Sequence, residues 1–180
     1  MAEIKKINES ENEENGITSL SQWQLIKRKF FRHKLAIVGM IILIFFYIVG
    51  VLFPGFFAPY SKFQSFDEVY AGPQKIHFLD QEGNFYLRPF VYGWTQKLDM
   101  ETFRRVYTID PSQRYFLKFW VKGEEYKLMG LFETRIHLFG TEAGGHIFLW
   151  GTDDMGRDVF SRALYALRIS LTIGFVGVAL

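Results

Sequence analysis

The stretch "LAIVGMIILIFFYIVGVLF" (Leu35–Phe53) decides what kind of protein this chain forms. It holds nineteen consecutive residues without a charge, and Tyr47 is its most polar side chain. As a helix it is roughly 28 Å long, close to the hydrocarbon thickness of a bilayer. A surface helix of a soluble protein shows a polar face, and a cleaved signal peptide is shorter and lies nearer the N-terminus. The stretch therefore predicts a transmembrane helix.

The flanks of this helix predict its orientation. Five basic side chains precede the apolar stretch: Lys27, Arg28, Lys29, Arg32 and Lys34. The helix is followed by "PGFFAPY" (Pro54–Tyr60), whose aromatic rings suit a membrane interface, and then by sequence of mixed charge. The positive-inside rule places the N-terminus in the cytoplasm and residues 61–150 outside the membrane.

The segment before the transmembrane helix divides in two. Residues 1–16 are polar and rich in Glu and Asn, which predicts disorder. Residues 19–34 place Leu20, Trp23, Ile26 and Phe30 on roughly one face, which predicts an amphipathic helix at the membrane surface. The alternative is that these residues are only the basic flank of the transmembrane helix.

Residues 61–148 are too many for a connecting loop and carry paired strand signals. The turn "DQEGN" joins two apolar runs, Lys75–Leu79 and Phe85–Tyr92, and predicts a hairpin. The turn "KGEE" joins Arg114–Val121 to Tyr126–Phe132 and predicts a second hairpin. Between the hairpins, Asp99–Asp110 predicts a short helix capped by Asp99. We expect a small antiparallel β-rich domain.

Composition excludes several classes of function. The chain has no cysteine, which removes disulfides, Cys-ligated zinc and thiol catalysis. The formal net charge of +2 gives no global basic field of the kind that nucleic-acid-binding proteins carry. The histidines are not at metal-ligand spacing, and neither a Ser–His–Asp set nor a phosphate-binding loop is recognisable. We therefore predict no enzymatic activity, no metal site and no cofactor.

The string "GTDDMGRDVFSR" (Gly151–Arg162) contains the densest group of charges in the C-terminal part of the chain. Thr152 or Asp153 is predicted to cap a helix whose first turn holds Asp154, where acidic groups stabilise the helix dipole. Asp158 and Arg162 are four residues apart, in the order that favours an ion pair on one helix face.

The same string precedes a second apolar segment. From Ile169 to Leu180 the sequence is apolar all round, which predicts the start of a second transmembrane helix. Twelve residues follow Arg168, whereas a span needs about twenty. We therefore expect the chain to be the N-terminal part of a larger membrane protein.

The candidate functional residues are the charged side chains at this membrane boundary: Asp153, Asp154, Arg157, Asp158 and Arg162. In a functional interpretation they form a gate or a docking contact on the outer surface. In a structural interpretation they form a network of pairs and caps that fixes how the helix enters the membrane.

Three strings resemble the permease subunits of dipeptide and oligopeptide ABC importers. They are "RKFFRHKLAIVGMIILIFF" at the first span, "FAPY" after it, and "LWGTDDMGRDVFSRALYALRISLTIGF" before the second. The block from Val91 to Gly140 is similar to an extracytoplasmic insertion found in some oligopeptide-type members. Nickel importers of the same family look similar in the last string, so nickel stays open as the cargo.

The resemblance implies a multi-pass permease of the cell (inner) membrane. Its implied partners are a second homologous permease, two ATPase subunits, an extracytoplasmic peptide-binding protein and membrane lipid. ATP binds to the partner subunits, so this chain is expected to hold no nucleotide. The alternative is a single-span anchored protein with an extracytoplasmic binding or sensor domain.

The expected fold is an α+β membrane protein made of four parts. Residues 1–34 form a cytoplasmic tail with an amphipathic helix, and residues 35–57 form the first transmembrane helix. Residues 58–150 form the β-rich extracytoplasmic domain. Residues 151–180 form an outer helix that continues into the second transmembrane helix.

Overall fold

A computed structural model describes residues 21–101, 105–141 and 144–180. The residues expected to be disordered, 1–16, lie outside the described part. The chain forms two compact units, one ending at Phe45 and the other beginning at Phe46.

The first unit contains the predicted amphipathic helix. Helix α1 (Gln22–Arg32) begins after Ser21, whose N–H donates to Gln24 Oε1 at 3.0 Å. Its apolar side chains, including Trp23 and Ile26, are exposed, as a helix that lies on a lipid surface requires. His33 has extended backbone angles and separates α1 from α2 (Lys34–Phe46).

Two described helices are long and apolar enough to cross a membrane. The first is the continuous run Lys34–Leu52, made of α2 and a π-helix (Tyr47–Leu52). The one-turn helix α3 (Pro54–Phe57) follows it. The second is α4 (Val159–Ala179), a single helix of 21 residues. The predicted outer helix and the predicted start of the second transmembrane helix are thus one continuous helix, which begins at Val159.

Four strands form one antiparallel sheet in the order β1–β2–β3–β4. They are β1 (His77–Leu79), β2 (Phe85–Leu98), β3 (Arg105–Leu128) and β4 (Phe132–Thr141). The pairing of His77 with Phe90 confirms the first predicted hairpin, and its second strand runs further than expected.

The helix predicted between the two hairpins was wrong. The helix expected over Asp99–Asp110 is absent from residues 105–110, which belong to β3 and pair with β2; residues 102–104 lie outside the described part. The run "VYTI" in this segment consists of β-branched and aromatic residues, which favour a strand. Once β2 offers an edge, this preference exceeds the capping signal of Asp99.

The second hairpin turns later than predicted. The expected turn at residues 122–125 is an irregularity inside β3, between Lys122 and Tyr126. The chain reverses at Met129 and Gly130, whose φ values are +52° and +76°, and then enters β4. Polar residues at 122–125 therefore mark a bulge on an exposed strand instead of a chain reversal.

A small core covers one side of the sheet. Val91 and Leu117 from adjacent strands are buried with Ile147, which lies just before the second apolar helix. Tyr60 closes this core, and its hydroxyl accepts a hydrogen bond from Ile147 N–H at 2.8 Å. The core thus joins the sheet to both segments that connect it to the apolar helices.

A charged loop at the start of the second apolar helix

We call Gly151–Asp158 the boundary loop, because it leads directly into α4. It lies against the chain segment Phe66–Ala71, which we call the docked segment. Phe66 N–H donates to Gly156 O at 2.9 Å, and Tyr70 N–H donates to Asp153 O at 3.1 Å. The two segments therefore bond through their backbones at both ends of the loop.

Thr152 adds three hydrogen bonds between the boundary loop and the docked segment. Its N–H donates to Ala71 O at 3.0 Å, and its hydroxyl accepts from Ala71 N–H at 2.9 Å. The same hydroxyl donates to Glu68 O. Thr152 is buried, so these bonds satisfy polar groups that have little access to water.

Two glycines allow the close approach. Gly156 has φ +70°, and a Cβ there would lie 2.0 Å from Phe66 O. Gly151 has φ +79°, and its Cβ would lie 2.3 Å from Ala71 O. Both positions need the left-handed conformation and the missing side chain at once, which explains why glycine stands at these two positions of the loop.

The carboxylate of Asp153 is the centre of the loop. Its Oδ1 accepts the backbone N–H groups of Met155 and Arg157, each at 2.9 Å. Its Oδ2 accepts Nε and Nη2 of Arg157, both at 2.9 Å, and also Nη1 of Arg162. One carboxylate thus pairs with two guanidinium groups and closes the turn.

These contacts control the ionisation of Asp153. Burial alone would raise the pKa of its carboxyl, but the hydrogen bonds from Arg157 and Met155 and the charge of Arg157 outweigh burial and lower the pKa to about 2. Asp153 therefore stays charged throughout the physiological pH range.

Asp158 has the opposite environment. It is 1% exposed and caps α4, with Oδ2 accepting Ser161 N–H at 2.8 Å. Its Oδ1 is buried and has no hydrogen-bond partner among the described residues. Burial raises the pKa of this carboxyl, although the hydrogen bonds from Ser161 and Phe160 act against it.

The structure corrects two predictions for the candidate residues. The helix begins at Val159 and is capped by Asp158, so Thr152 and Asp153 are not its cap and Asp154 is not in its first turn. The predicted Asp158–Arg162 ion pair is also wrong. Asp158 is used as the buried cap, and Arg162 instead pairs with Asp153.

The five candidate residues therefore do not act as one set. Asp153, Arg157 and Arg162 meet, whereas Asp154 is exposed and reaches only to 3.8 Å from Arg157 Nη2. Sequence reasoning missed Ser161, whose buried hydroxyl accepts Tyr60 N–H at 3.2 Å and ties α4 to the chain after the first span. The cap from Asp158 uses the backbone N–H of Ser161, which every residue except proline offers, so the sequence carries no local signal for this hydroxyl.

The arrangement stabilises the N-terminal end of α4. The described residues contain no group of three or more His, Asp or Glu side chains that could hold a metal ion. The buried His137 and the partly exposed His146 make other contacts. His137 lies 2.7 Å from Ala58 O and 3.0 Å from Glu124 O, and His146 lies 3.5 Å from the Glu68 carboxylate.

Two helices of membrane-spanning length and a small antiparallel sheet are compatible with an integral membrane protein. Residues 21–73 match the family described as the N-terminal TM domain of oligopeptide transport permease C. The dipeptide transport system permease protein DppC of Haemophilus influenzae (strain ATCC 51907 / DSM 11121 / KW20 / Rd) is 51% identical over 39 residues. These matches confirm the resemblance to permeases of peptide-transport systems.

The similarity covers a limited part of each chain. The aligned stretch is 22% of this chain and 13% of the Haemophilus protein. No solved structure matches the chain.

Proposed function

We propose that this chain contributes to the transmembrane permease subunit of an ATP-driven oligopeptide importer. In this role it forms part of the translocation path and contacts an extracytoplasmic binding protein. The observation that supports the proposal best is the match of residues 21–73, which include α1 and the whole first apolar helix, to the oligopeptide permease family. The activity is transport, and the chain itself is not an enzyme.

The proposed topology places the N-terminus in the cytoplasm and residues 61–150 on the outer side of the cell (inner) membrane. The basic side chains before the first apolar helix support this orientation through the positive-inside rule. The four proposed parts are residues 1–34, 35–57, 58–150 and 151–180, as the sequence predicts. The second apolar helix then re-enters the membrane from the outside, and the complete protein is multi-pass.

The proposed partners follow from this role. They are a second homologous permease, two ATPase subunits, an extracytoplasmic peptide-binding protein and membrane lipid. ATP hydrolysis belongs to the ATPase subunits, so this chain needs no cofactor, and it binds no nucleic acid.

The boundary loop has a positioning role in this proposal. Asp153 pairs with both Arg157 and Arg162, and Asp158 is buried, so most of the loop's charged groups are engaged within the protein. Asp154 and Arg162 keep 63% and 43% of their side-chain surface exposed and are the parts that remain for a partner. The main role of the loop is thus to set the position of the N-terminal end of α4. Any contact with a partner involves the exposed side chains of Asp154 and Arg162.

Transport by the complete complex tests the proposed function. The full-length protein is reconstituted with its partner subunits in vesicles, and uptake of labelled peptides of graded length is compared with uptake of Ni²⁺. We expect ATP-dependent uptake of oligopeptides. Uptake of Ni²⁺ without peptide, or no ATP-dependent uptake, contradicts the proposal.

Co-purification tests the docking part separately. The full-length protein is isolated with and without residues 64–138 in the presence of the peptide-binding protein. We expect the deletion to weaken the association. Equal association and equal transport by both forms would remove the docking role and leave the transport role standing.

A further inference from the structure

A small pocket lies in the β-rich part of the chain, beside the docked segment. It has a volume of about 70 Å³ and is lined by Glu68, Trp94, Tyr115, His146 and Phe148, among others. One water needs about 10–15 Å³ of such space, so the pocket has room for a small polar group. Neither the proposed transport role nor the boundary loop uses this pocket.

Aromatic side chains form one part of its wall, beside polar residues such as Glu68, Gln74 and Gln113. The rings of Trp94 and Phe148 stack nearly parallel, at 11°, with their centroids 5.9 Å apart. The imidazole of His146 lies 5.8 Å from the Phe148 ring. The faces of such rings carry partial negative charge and attract cations, Trp most strongly.

A carboxylate adds a full negative charge to this lining. Glu68 Oε1 lies 3.5 Å from His146 Nδ1, whereas Glu68 Oε2 is buried and has no hydrogen-bond partner among the described residues. The hydrogen bond with His146 lowers the pKa of Glu68, although burial acts against it. A buried, charged oxygen without a donor is costly, and a nearby cation offsets that cost.

The remaining polar groups of the lining are already engaged. Gln74 Oε1 accepts Phe148 N–H at 2.8 Å, and Gln113 Oε1 accepts the Tyr115 hydroxyl at 3.2 Å. The described lining residues include neither Lys nor Arg. The pocket therefore combines the partly exposed ring of Trp94 with an incompletely paired carboxylate.

We propose that this pocket binds a primary ammonium group. A lysine side chain of a partner protein and the free amino terminus of a peptide both present this chemistry. Attraction by the Glu68 charge supplies the affinity, and the partly exposed ring of Trp94 contacts the cation and its first methylene groups.

The first test measures ligand binding to the unmodified chain in non-ionic detergent. Binding is monitored by ligand-observed NMR titration. The probes are Nα-acetyl-lysine methylamide for the side-chain source and alanine methylamide for the amino-terminal source. Nα-acetyl-norleucine methylamide is the uncharged control. We expect at least one ammonium probe to bind and the norleucine probe not to bind. Which of the two ammonium probes binds identifies the source.

Two variants locate the binding. Glu68→Gln removes the charge at nearly constant shape and is expected to weaken binding at least about tenfold. Glu82→Gln, at an exposed carboxylate in the β1–β2 turn, is the matched control and is expected to leave the affinity within about twofold. Trp94→Leu is expected to weaken binding several-fold by removing the main aromatic face.

Several results would overturn the proposal. They are equal binding of the norleucine probe, absence of binding by both ammonium probes, and unchanged affinity in folded Glu68→Gln. If Glu68→Gln does not fold, as judged by circular dichroism, the comparison of probes on the unmodified chain and the Trp94→Leu titration decide the question.

Discussion

Asp153 and Asp158 show how two identical side chains, five residues apart, take opposite roles. Asp153 meets two guanidinium groups and two backbone donors, which lower the pKa of its carboxyl. Asp158 is buried as a helix cap, which raises the pKa of its carboxyl. Asp153 stabilises the loop through its negative charge, whereas Asp158 stabilises the start of α4 as a hydrogen-bond acceptor. Their stability effects should therefore differ in sign with pH.

Replacing Asp153 tests the centre of the loop. Asp153→Asn keeps the size of the side chain but removes the charge that pairs with Arg157 and Arg162. We expect a loss of about 2 kcal/mol in the free energy of unfolding, because charge-assisted hydrogen bonds are lost. Asp154→Asn is the control, with an expected change near zero because Asp154 is exposed. Chemical unfolding of the purified chain in detergent measures both.

The pH dependence gives this prediction a direction. The folded pKa of Asp153, about 2, lies below the ordinary value of 3.8. Its stabilisation is therefore present above pH 3.8 and is lost as the pH falls toward 2. The difference between the unmodified chain and Asp153→Asn should shrink across this window. A difference that is constant from neutral pH down to pH 2 would contradict the ion-pair role.

Asp158 is predicted to respond differently to its two simplest replacements. Asp158→Ala removes the acceptor for Ser161 N–H and should cost about 1 kcal/mol in unfolding free energy. Asp158→Asn keeps an acceptor and removes the buried charge, so at neutral pH it should be at least as stable as the unmodified chain. Because burial raises the folded pKa, the advantage of Asn should vanish in acid, where Asp158 is protonated. Equal losses in both variants would argue against this.

At the scale of elements, sequence patterns identified those that depend on local composition. The apolar run Leu35–Phe53 and the turn before Phe85 were sufficient to predict the first apolar helix and the first hairpin. The start of β3 was not predictable in this way. Residues 105–110 contain both a capping signal and β-branched side chains, and the pairing partner in β2 decides between them.

The prediction of where the second apolar helix begins was wrong for a related reason, since the helix begins at Val159. Thr152, Asp153 and Asp158 are all good capping residues, and the sequence favoured the first two. The choice depends on the docked segment more than 80 residues earlier, whose Ala71 and Glu68 engage Thr152. Such long-range backbone contacts leave no local pattern, although the glycines at 151 and 156 mark where they occur.

Gly156 provides a test of the contact between the loop and the docked segment. In Gly156→Ala the new Cβ would meet Phe66 O and the residue would keep a left-handed φ, so the hydrogen bond between Phe66 and Gly156 should break. Gly83→Ala is the matched control, because Gly83 has φ +84° and open space around its Cβ. We expect Gly156→Ala to cost roughly 2 kcal/mol more than Gly83→Ala.

Hydrogen exchange gives the local readout for this pair. The amides of Phe66, Tyr70 and Ala71, which donate to the boundary loop, should exchange faster in Gly156→Ala and unchanged in Gly83→Ala. Unchanged exchange in both variants would show that the loop tolerates a side chain at position 156 and that the docking contact is weaker than its geometry indicates.

At the scale of the whole molecule, the proposed transport role depends on which side of the membrane each part occupies. The apolar helices are identified by length and composition, and neither property fixes orientation. The basic flank does indicate a direction, because five basic side chains between Lys27 and Lys34 precede the apolar stretch that begins at Leu35. The orientation is therefore the property of the whole chain that an experiment should determine first.

The 180 residues contain no cysteine, so a thiol introduced into them is unique within this part of the protein. Gln22→Cys and Gln81→Cys are a matched pair, because both replace an exposed glutamine and leave the charge of the chain unchanged. Cells whose outer envelope has been permeabilised, and whose inner membrane is still intact, are treated with a membrane-impermeant maleimide. We expect Gln81→Cys to react at once and Gln22→Cys to react only after the inner membrane is opened. The reverse pattern would invert the proposed topology, and equal reaction of both would remove the first apolar helix as a span.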